Sequence, residues 1–345
     1  MIAYKFRSGR GPKDCEGNEI FTRDITLLSQ DSIYLPTVEQ LNDPAEALVD
    51  DRSFKALLKL LAPFTPKEAR AQVEDSLQSL YDKIRSTGIY SLSKDVENEL
   101  MWAYYANGHN GYAIIYDTKV LANSFNCGKW SGMYEVPVVY SGRLPLFDIT
   151  KIDDYQAVLT CLVGTKSKAW EHEKEHRLVF DHGGRTLKID YRAVKGFVFG
   201  CRMGDADIDY VMKSFSGRGL NYYKIELKDN SYKLVKTKLP DKYLTEEKYR
   251  PNAVKYDLRE LLKGDAFIGG AGNKYQVFVK AALDDVSREP FVTSISHIVV
   301  SDDKRWPHIL IWTRVDQEGV FRPMRAFEYD IIDEKLVKSR EYNKR

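Results

Sequence analysis

The sequence predicts an α+β fold in which helices and short strands mix without a repeating order. Three observations support this class. β-favouring stretches such as YAIIYD at 112–117 and VKGFVFG at 194–200 recur along the first 240 residues. Apolar residues at helical spacing separate some of these stretches, most clearly over residues 51–87. Strands and helices do not alternate one for one, which disfavours a doubly wound parallel sheet.

The local pattern predicts each element in turn. Strands are expected at 2–6, 32–37, 88–93, 112–117, 134–141, 176–181, 194–200, 221–227 and 232–237. Helices are expected over 51–87, 97–108, 153–168 and 205–216. Pro36 stops the second strand, and Gly108 is placed at the C-terminal cap of the 97–108 helix. The chain lacks the glycine-rich motifs of Rossmann and Walker nucleotide sites, which argues against both.

A polar stretch divides the chain into two predicted domains. DKYLTEEKYRPN at 241–252 is rich in charge and ends near a proline, as linkers often do. We therefore expect a larger domain over 1–240 and a smaller, β-rich domain over 253–345. Four apolar stretches make the second domain strand-rich in this interpretation: YQVFVKAAL, SISHIVVS, HILIWTRV and FRPMRAFEYDII.

Charge, cysteine spacing and hydropathy limit the classes of function and the cellular compartment that we expect. The 345 residues hold 52 basic and 50 acidic side chains, a net charge of +2 that argues against a large electrostatic surface for nucleic acid. The cysteines lack metal or redox spacing: Cys15, Cys127, Cys161 and Cys201. The N-terminus lacks a signal-peptide pattern, and no stretch approaches the ~18 apolar residues that span a bilayer. We expect a soluble cytoplasmic protein with no membrane partner.

The stretch WEHEKEHRLVFDH has two incompatible interpretations. His172 and His176 form an H-E-x-x-H motif around Glu173, and His182 stands where one class of zinc proteases places a third ligand. That interpretation needs a helix through the motif, so that both histidines share one face. The following residues favour a strand, and Val179 occupies the position where those proteases need a glycine. The pattern therefore disfavours a zinc site.

The second interpretation is a pair of carboxylates at the start of a strand. Glu173 and Glu175 are two residues apart, so on a strand their side chains point to the same face. Two carboxylates side by side repel each other, and this costs free energy unless they act on something. The alternative is a solvated strand edge with Lys174 and Arg177 nearby.

A resemblance strengthens the carboxylate interpretation. Four ordered stretches carry it: LNDPAE at 41–46, IYSLS at 89–93, MWAYYANGHNGYAIIYD at 101–117 and KSKAWEHEKEHRLVF at 166–180. Together they resemble a widespread bacterial domain family of unknown function, over residues 1 to about 235. His172 and His176 stand where that family has aromatic residues, so the H-E-x-x-H motif is a by-product of two substitutions. Ala45 replaces a phenylalanine of the family, which removes one packing contact.

The order of these motifs also resembles a divergent ADP-ribosyltransferase. That superfamily uses three strand-borne elements, which would here be Tyr4-Lys5-Phe6-Arg7, Ser91-Leu92-Ser93 and Glu173-Lys174-Glu175. Leu92 departs from the threonine usual in the second element. The resemblance implies a split or mixed β-sheet core with helices, and NAD as the substrate without a metal.

The resemblance also implies roles for the carboxylates and serines. Cleavage of the bond between nicotinamide and ribose passes through an oxocarbenium-like transition state, which carboxylates stabilise in glycosidases. Glu175 would bind the ribose 2′-hydroxyl and stabilise the developing charge, and Glu173 would orient or deprotonate the nucleophile. Ser91 would hold the ribose or Glu175, and Ser93 belongs to the same cofactor-binding set. Both serines also fit the polar face of an ordinary strand.

Cationic and aromatic residues complete the implied NAD site. Lys5 or Arg7 would meet the pyrophosphate. Tyr4, Trp102 and Tyr105 would offer ring faces to nicotinamide or adenine. Trp102 and Tyr105 are three apart on a predicted helix, a spacing that also suits core residues.

Four further polar residues have open interpretations. His109 follows a predicted helix and either caps it or reaches the site, and a functional role is favoured because the family pattern includes this histidine. Asp43 and Glu46 are expected to form a turn and cap a helix. Arg177 is expected to pair with a carboxylate rather than touch the substrate.

The resulting hypothesis is an ADP-ribosyltransferase-like enzyme that uses NAD and modifies a macromolecule, or hydrolyses NAD. Domains of this kind serve as toxins or phage-defence effectors, so growth inhibition on expression is implied. The β-rich domain over 253–345 would select the target or bind a neutralising partner such as an antitoxin. One alternative is a metal-dependent nuclease with Asp43, Glu173, Glu175 and His109 as ligands. Another is a sensor or binding module without catalytic activity.

Overall fold

A computed structural model describes residues 1–14, 16–125, 132–146, 154–261, 275–302, 305–316 and 324–343. The chain divides into two compact units. The first unit comprises Met1–Ala122, Gly132–Leu187 and Arg192–Thr245. The second comprises Glu246–Arg345, with Lys188–Tyr191 and a short segment that begins at Asn123. The predicted α+β class is confirmed, since helices accompany a mixed eight-stranded sheet and a separate four-stranded antiparallel sheet.

Most predicted elements before residue 245 are present. The strands are β1 (Ile2–Arg7), β2 (Ser32–Leu35), β3 (Gly88–Ser93), β4 (Tyr112–Asp117), β5 (Met133–Pro137), β6 (Val139–Ser141), β7 (Thr165–Ser167), β8 (Glu175–Phe180), β9 (Arg185–Lys188), β10 (Val194–Phe199), β11 (Asn221–Leu227) and β12 (Leu234–Leu239). The helices are α1 (Ile20–Ser29), α2 (Arg52–Leu61), α3 (Lys67–Ser86), α4 (Glu99–Tyr105), α5 (Thr118–Asn123), α6 (Tyr155–Val163) and α7 (Asp205–Ser214).

Several elements differ from the prediction. Helix α1 and strands β7 and β9 were not predicted, and the strand expected at 134–141 is divided into β5 and β6. Helix α4 is shorter than expected. It begins after Asn98, whose side chain accepts hydrogen bonds from the backbone N–H groups of Leu100 and Met101, and it ends before Gly108.

The large sheet consists of two ladders joined at one point. Its strand order is β12-β11-β10-β4-β1-β3-β8-β5. Strand β1 pairs with β4 along its whole length, and β3 pairs in the same way with β8. Between β1 and β3, both described in full, the register holds the one pair Tyr4↔Ser93. Because β3 ends at Ser93, the sheet opens between the rest of β3 and the part of β1 that follows Tyr4.

Two apolar clusters cover one face of this sheet. On the β1 side, Trp102 of α4 packs edge-to-face on Phe6, with ring centroids 5.0 Å apart. On the β8 side, α6 packs its Leu159 against Ile89 and Val179. Side chains alternate along β8, so Glu175 and Arg177 lie on the same face as Val179. The polar start of β8 is thus placed next to apolar packing, where charged groups are buried.

The second unit is built on a four-stranded antiparallel sheet, which confirms the predicted β-rich C-terminal part. Its strands are β13 (Val292–Ser301), β14 (His308–Val315), β15 (Met324–Ile332) and β16 (Lys335–Asn343), paired in sequence order. Its helices are α8 (Leu258–Leu261) and α9 (Gln276–Ser287).

The strand expected at YQVFVKAAL is wrong, because these residues form the start of α9. Val279, Ala282, Leu283 and Val286 recur at helical spacing, and all four are buried. The β-branched composition of the stretch favoured a strand, but packing of this apolar stripe on the sheet favours a helix.

In the described ranges, every helix is too short or too polar to cross a lipid bilayer.

Candidate functional site

The Glu173–Glu175 segment joins a 3₁₀ helix to a strand. The 3₁₀ helix covers Lys168–Glu173, and β8 begins at Glu175. Between them, Lys174 adopts a left-handed conformation with φ of 46°, which few residues other than glycine favour. The prediction that both glutamates lie on a strand is therefore wrong for Glu173. Their side chains nevertheless converge, because both reach Lys166.

The zinc interpretation fails on the same segment. His172 lies in the 3₁₀ helix, and His176 lies in β8. The α-helix that would place both histidines on one face is therefore not formed. His176 contacts Glu135 instead, with its Nε2 at 3.4 Å from a carboxylate oxygen.

A buried group of charges lies at the start of β8. The Lys166 ammonium is 2.5 Å from Glu173 Oε2 and 3.4 Å from Glu175 Oε2. The Arg177 guanidinium binds Glu175 Oε2 at 2.7 Å and both carboxylate oxygens of Glu46, at 2.6 and 2.9 Å. The exposed fraction of these five residues is at most 8%. Charges this deeply buried need partners, and this arrangement supplies them.

Hydroxyl groups fix the positions of both glutamates. The Tyr105 hydroxyl donates to Glu173 Oε1. The Ser93 hydroxyl donates to the backbone carbonyl of Glu173 at 2.7 Å. The backbone N–H of Glu175 donates to the Tyr140 hydroxyl at 2.8 Å. Side chains from three separate elements therefore hold the two residues on either side of Lys174.

Glu175 is ionised at neutral pH. Burial would raise the pKa of its carboxyl group, but the nearby charges of Arg177 and Lys166 outweigh burial and lower this pKa to about 2. Burial raises the pKa of Tyr105, and its hydrogen bond to Glu173 raises this pKa further. Tyr105 is therefore a neutral hydrogen-bond donor in this site.

A cleft of about 880 Å³ opens where β1 and β3 separate. Eight predicted site residues line it: Tyr4, Lys5, Arg7, Ser91, Ser93, Tyr105, Glu173 and Glu175. Lys166 and Arg177 also reach the cleft wall. The structure thus brings all three predicted motif strands, β1, β3 and β8, to one cavity.

Lys5 and Arg7 add positive charge to the β1 side of the cleft. The Lys5 ammonium donates to the backbone carbonyl of Ser91 at 2.9 Å, across the gap between the strands. Burial, together with the charge of Arg7, lowers the pKa of Lys5 to about 7. Arg7 contacts Asp24 at 3.3 Å. Lys5 therefore changes charge near neutral pH, whereas Arg7 remains charged.

Trp102 and His109 are not brought to the cleft. Trp102 is fully buried, and its indole N–H donates to the carbonyl of Val96 at 2.6 Å. His109 stacks on Trp102 with ring centroids 6.5 Å apart, and it does not line the cleft. The spacing of Trp102 and Tyr105 on a helix fitted either a ring face for the ligand or a core residue. For Trp102 the core interpretation is correct.

Three residues of the charge group, Glu46, Lys166 and Arg177, were not predicted as parts of the site. Glu46 pairs with Arg177 rather than capping a helix, whereas Asp43 forms the expected turn by accepting from the N–H of Ala45 at 2.9 Å. Arg177 pairs with carboxylates, as expected. Lys166 lies in the stretch that carried the family resemblance, but its pattern alone does not indicate a partner.

The ligand set of the nuclease alternative is not assembled. His109 lies away from the cleft, and Asp43 is engaged in its turn. Across the described ranges, no group of three or more histidine, cysteine or acidic side chains is arranged to hold a metal ion.

Comparisons with known proteins give a family match. No curated protein matches the chain, and no solved structure does. A family model does match residues 101–178, a segment that begins within α4 and ends within β8. This segment includes Tyr105, Lys166 and both glutamates. Over residues 101–178 the chain matches the model of DUF2971, described as a protein of unknown function, and this confirms the predicted resemblance to a domain family of unknown function.

Proposed function

We propose that the protein is an ADP-ribosyltransferase-like enzyme that cleaves the bond between nicotinamide and ribose in NAD. One observation carries the proposal. Strands β1, β3 and β8 lie side by side, and Lys5, Ser91 and Glu175 from these strands line one cleft. These are the three elements in which the sequence resembles that superfamily.

The charge of Glu175 suits the reaction. As nicotinamide leaves, positive charge develops on the ribose ring. An ionised carboxylate in a buried site stabilises such charge better than one in water, because the surrounding dielectric is lower. Glu175 stays ionised while almost completely buried, with Arg177 and Lys166 as its partners. It is therefore our candidate for the residue that binds the ribose 2′-hydroxyl.

We propose a different part for Glu173 than for Glu175. Tyr105 donates to one of its carboxylate oxygens and Lys166 to the other. Each oxygen of Glu173 therefore has one of these partners and keeps acceptor capacity for an incoming nucleophile. We propose that Glu173 orients or deprotonates the nucleophile, while Tyr105 and Lys166 hold its carboxylate in place.

The cleft also suits the rest of an NAD molecule. Its volume of about 880 Å³ falls within the ~300–1,000 Å³ typical of ligand pockets. Lys5 and Arg7 offer cations for the pyrophosphate, and Tyr4 offers an aromatic ring on the same strand. No metal ligand is needed for this chemistry.

The wider setting is proposed on the family resemblance alone. We propose a cytoplasmic enzyme that transfers ADP-ribose to a macromolecule, either protein or nucleic acid, with water as the alternative acceptor. An effector of this kind would slow growth on expression and would be restrained by a neutralising partner.

The decisive experiment measures nicotinamide release from NAD by the purified protein, with and without cell lysate. Glu175→Gln keeps the size of the side chain but removes its charge, so we expect release to fall by about 10²–10³-fold. Glu171→Gln is the matched control, because Glu171 is exposed on the adjoining 3₁₀ helix, and it should retain wild-type activity. Turnover retained by Glu175→Gln, or absent from the wild type under both conditions, would overturn the proposal.

A further inference from the structure

We propose that Lys166 is a positioning residue, whose ammonium group holds the side chains of Glu173 and Glu175 together and fixes the carboxylate of Glu175 toward the cleft. Its consequence for catalysis rests on the proposed function. The holding of the two glutamates does not, and can be tested without any substrate.

The small sheet of β6 and β7 forms the platform for this contact. Lys166 is the central residue of β7, and its register partner on β6 is Tyr140. The Tyr140 hydroxyl accepts the backbone N–H of Glu175, while the Lys166 side chain contacts the Glu175 carboxylate. Two neighbouring residues of one short ladder therefore hold the backbone and the side chain of Glu175. If the β6–β7 ladder only covered the surface of the unit, it would need neither of these contacts.

The charges of the group explain why a cation is needed. Glu46, Glu173 and Glu175 are buried acids, and Lys166 and Arg177 are the cations in contact with them. Removal of the Lys166 charge would leave three carboxylates around one guanidinium. Of the two contacts described above for the Glu173 carboxylate, only the one with the neutral Tyr105 hydroxyl would then remain. Like charges this close favour uptake of a proton.

The contacts also select one oxygen of Glu175. Lys166 Nζ and Arg177 Nε and Nη2 all approach Oε2, at 3.4, 3.1 and 2.7 Å. Three N–H donors thus hold Oε2. Under this proposal, Oε1 is the oxygen that meets a ribose hydroxyl group.

Lys166 differs in this respect from a cation that only fills space in the core. A lysine without contact to the two carboxylates would change stability when replaced, but it would leave the ionisation of Glu173 and Glu175 unaltered. A lysine that holds the pair changes their ionisation, and one that positions Glu175 for catalysis also lowers turnover more than substrate affinity. These two readouts separate the alternatives.

The first test is a pH titration of the protein carrying ¹³C-labelled glutamate, followed by NMR without substrate. Signals of Glu173 and Glu175 are assigned by their loss in Glu173→Gln and Glu175→Gln. In the wild type, Glu175 stays ionised over the pH range in which circular dichroism shows the fold intact. In Lys166→Met we expect the signal of at least one of the two glutamates to titrate within that range.

Two further variants complete the titration. Lys166→Gln keeps polar contacts without the charge and is used if Lys166→Met does not fold; the same result is expected. Lys168→Met is the matched control, because Lys168 is exposed on the 3₁₀ helix, and it should leave both signals unchanged. Unchanged titration of both glutamates in a folded Lys166 variant would overturn the proposal.

The second test measures nicotinamide release. We expect Lys166→Gln to lower kcat at least tenfold and to change the KM for NAD by less than about threefold, because Lys166 acts through Glu175. An equal loss through KM alone would contradict a positioning role. If wild-type protein releases no nicotinamide, the proposed function fails, while the NMR titration still decides whether Lys166 holds the glutamate pair.

Discussion

The two units of the chain fill the interior beneath their sheets in different ways. The first unit buries a group of acids and bases, Glu46, Lys166, Glu173, Glu175 and Arg177, at the start of β8. The second packs α9 on its sheet through an apolar core, and its buried Arg325 pairs with Glu341, whose side chain is partly exposed. Desolvation of charges costs free energy that pairing only partly offsets, whereas apolar burial stabilises directly. Under the proposed function, the first unit keeps its charges for chemistry rather than for stability.

Breaking the buried charge group should have the largest effect. Arg177 is completely buried, and Arg177→Met leaves the facing carboxylates of Glu46 and Glu175 without their main partner. We expect the free energy of unfolding to fall by about 3–5 kcal/mol in denaturant titrations followed by circular dichroism.

The matched control for this variant is an exposed ion pair. Arg52 pairs with Asp50, but its side chain is 88% exposed, so Arg52→Met should change the free energy of unfolding by less than about 1 kcal/mol. Equal effects of the two variants would show that burial does not distinguish these pairs.

An apolar truncation in the second unit should have the next largest effect. Leu283 of α9 is fully buried in the core between this helix and the sheet, and Leu283→Ala leaves a cavity there. We expect a loss of about 2–5 kcal/mol in the free energy of unfolding, with nicotinamide release at low temperature retained. Val277→Ala on the same helix is the control, because Val277 is 79% exposed and should tolerate the change. Loss of activity in folded Leu283→Ala would show that the core of the second unit serves nicotinamide release as well as stability.

A change of pH should have the smallest effect, and it is specific to the cleft. The pKa of Lys5 is lowered to about 7, so Lys5 is charged below this pH and neutral above it. If its charge binds pyrophosphate, ADP-ribose should bind about tenfold more weakly at pH 8 than at pH 6, as measured by calorimetry. Lys5→Arg stays charged at both pH values and should remove the difference. Equal wild-type affinity at the two pH values would exclude Lys5 as the pyrophosphate ligand.

Local patterns were sufficient for much of the fold. Strands β3, β4 and β10 are short apolar stretches whose burial follows from their own composition, and each was predicted within a residue or two. The start of α9 shows the limit of this reasoning. Its β-branched residues also fit a strand, and only packing against the sheet decides for a helix.

The site was predictable only where its residues are close in sequence. The Glu173–Glu175 pair could be found from its spacing, and the resemblance supplied Lys5 and Ser91. Arg177 and Glu46 are 131 residues apart, so their pairing depends on the tertiary fold. The left-handed conformation of Lys174 was equally hidden, because lysine does not favour it and the surrounding contacts impose it.

The gap between β1 and β3 has a consequence for how the protein meets other chains. An ordinary open sheet has two edges, and both expose backbone groups that can pair with a foreign strand. This sheet has two more partial edges in its middle, where the part of β1 after Tyr4 and the part of β3 before Ser93 face each other across the cleft. Because β1 and β3 lie inside the sheet, these edges face each other rather than the outer rim, where the intermolecular strand pairing that leads to aggregation takes place.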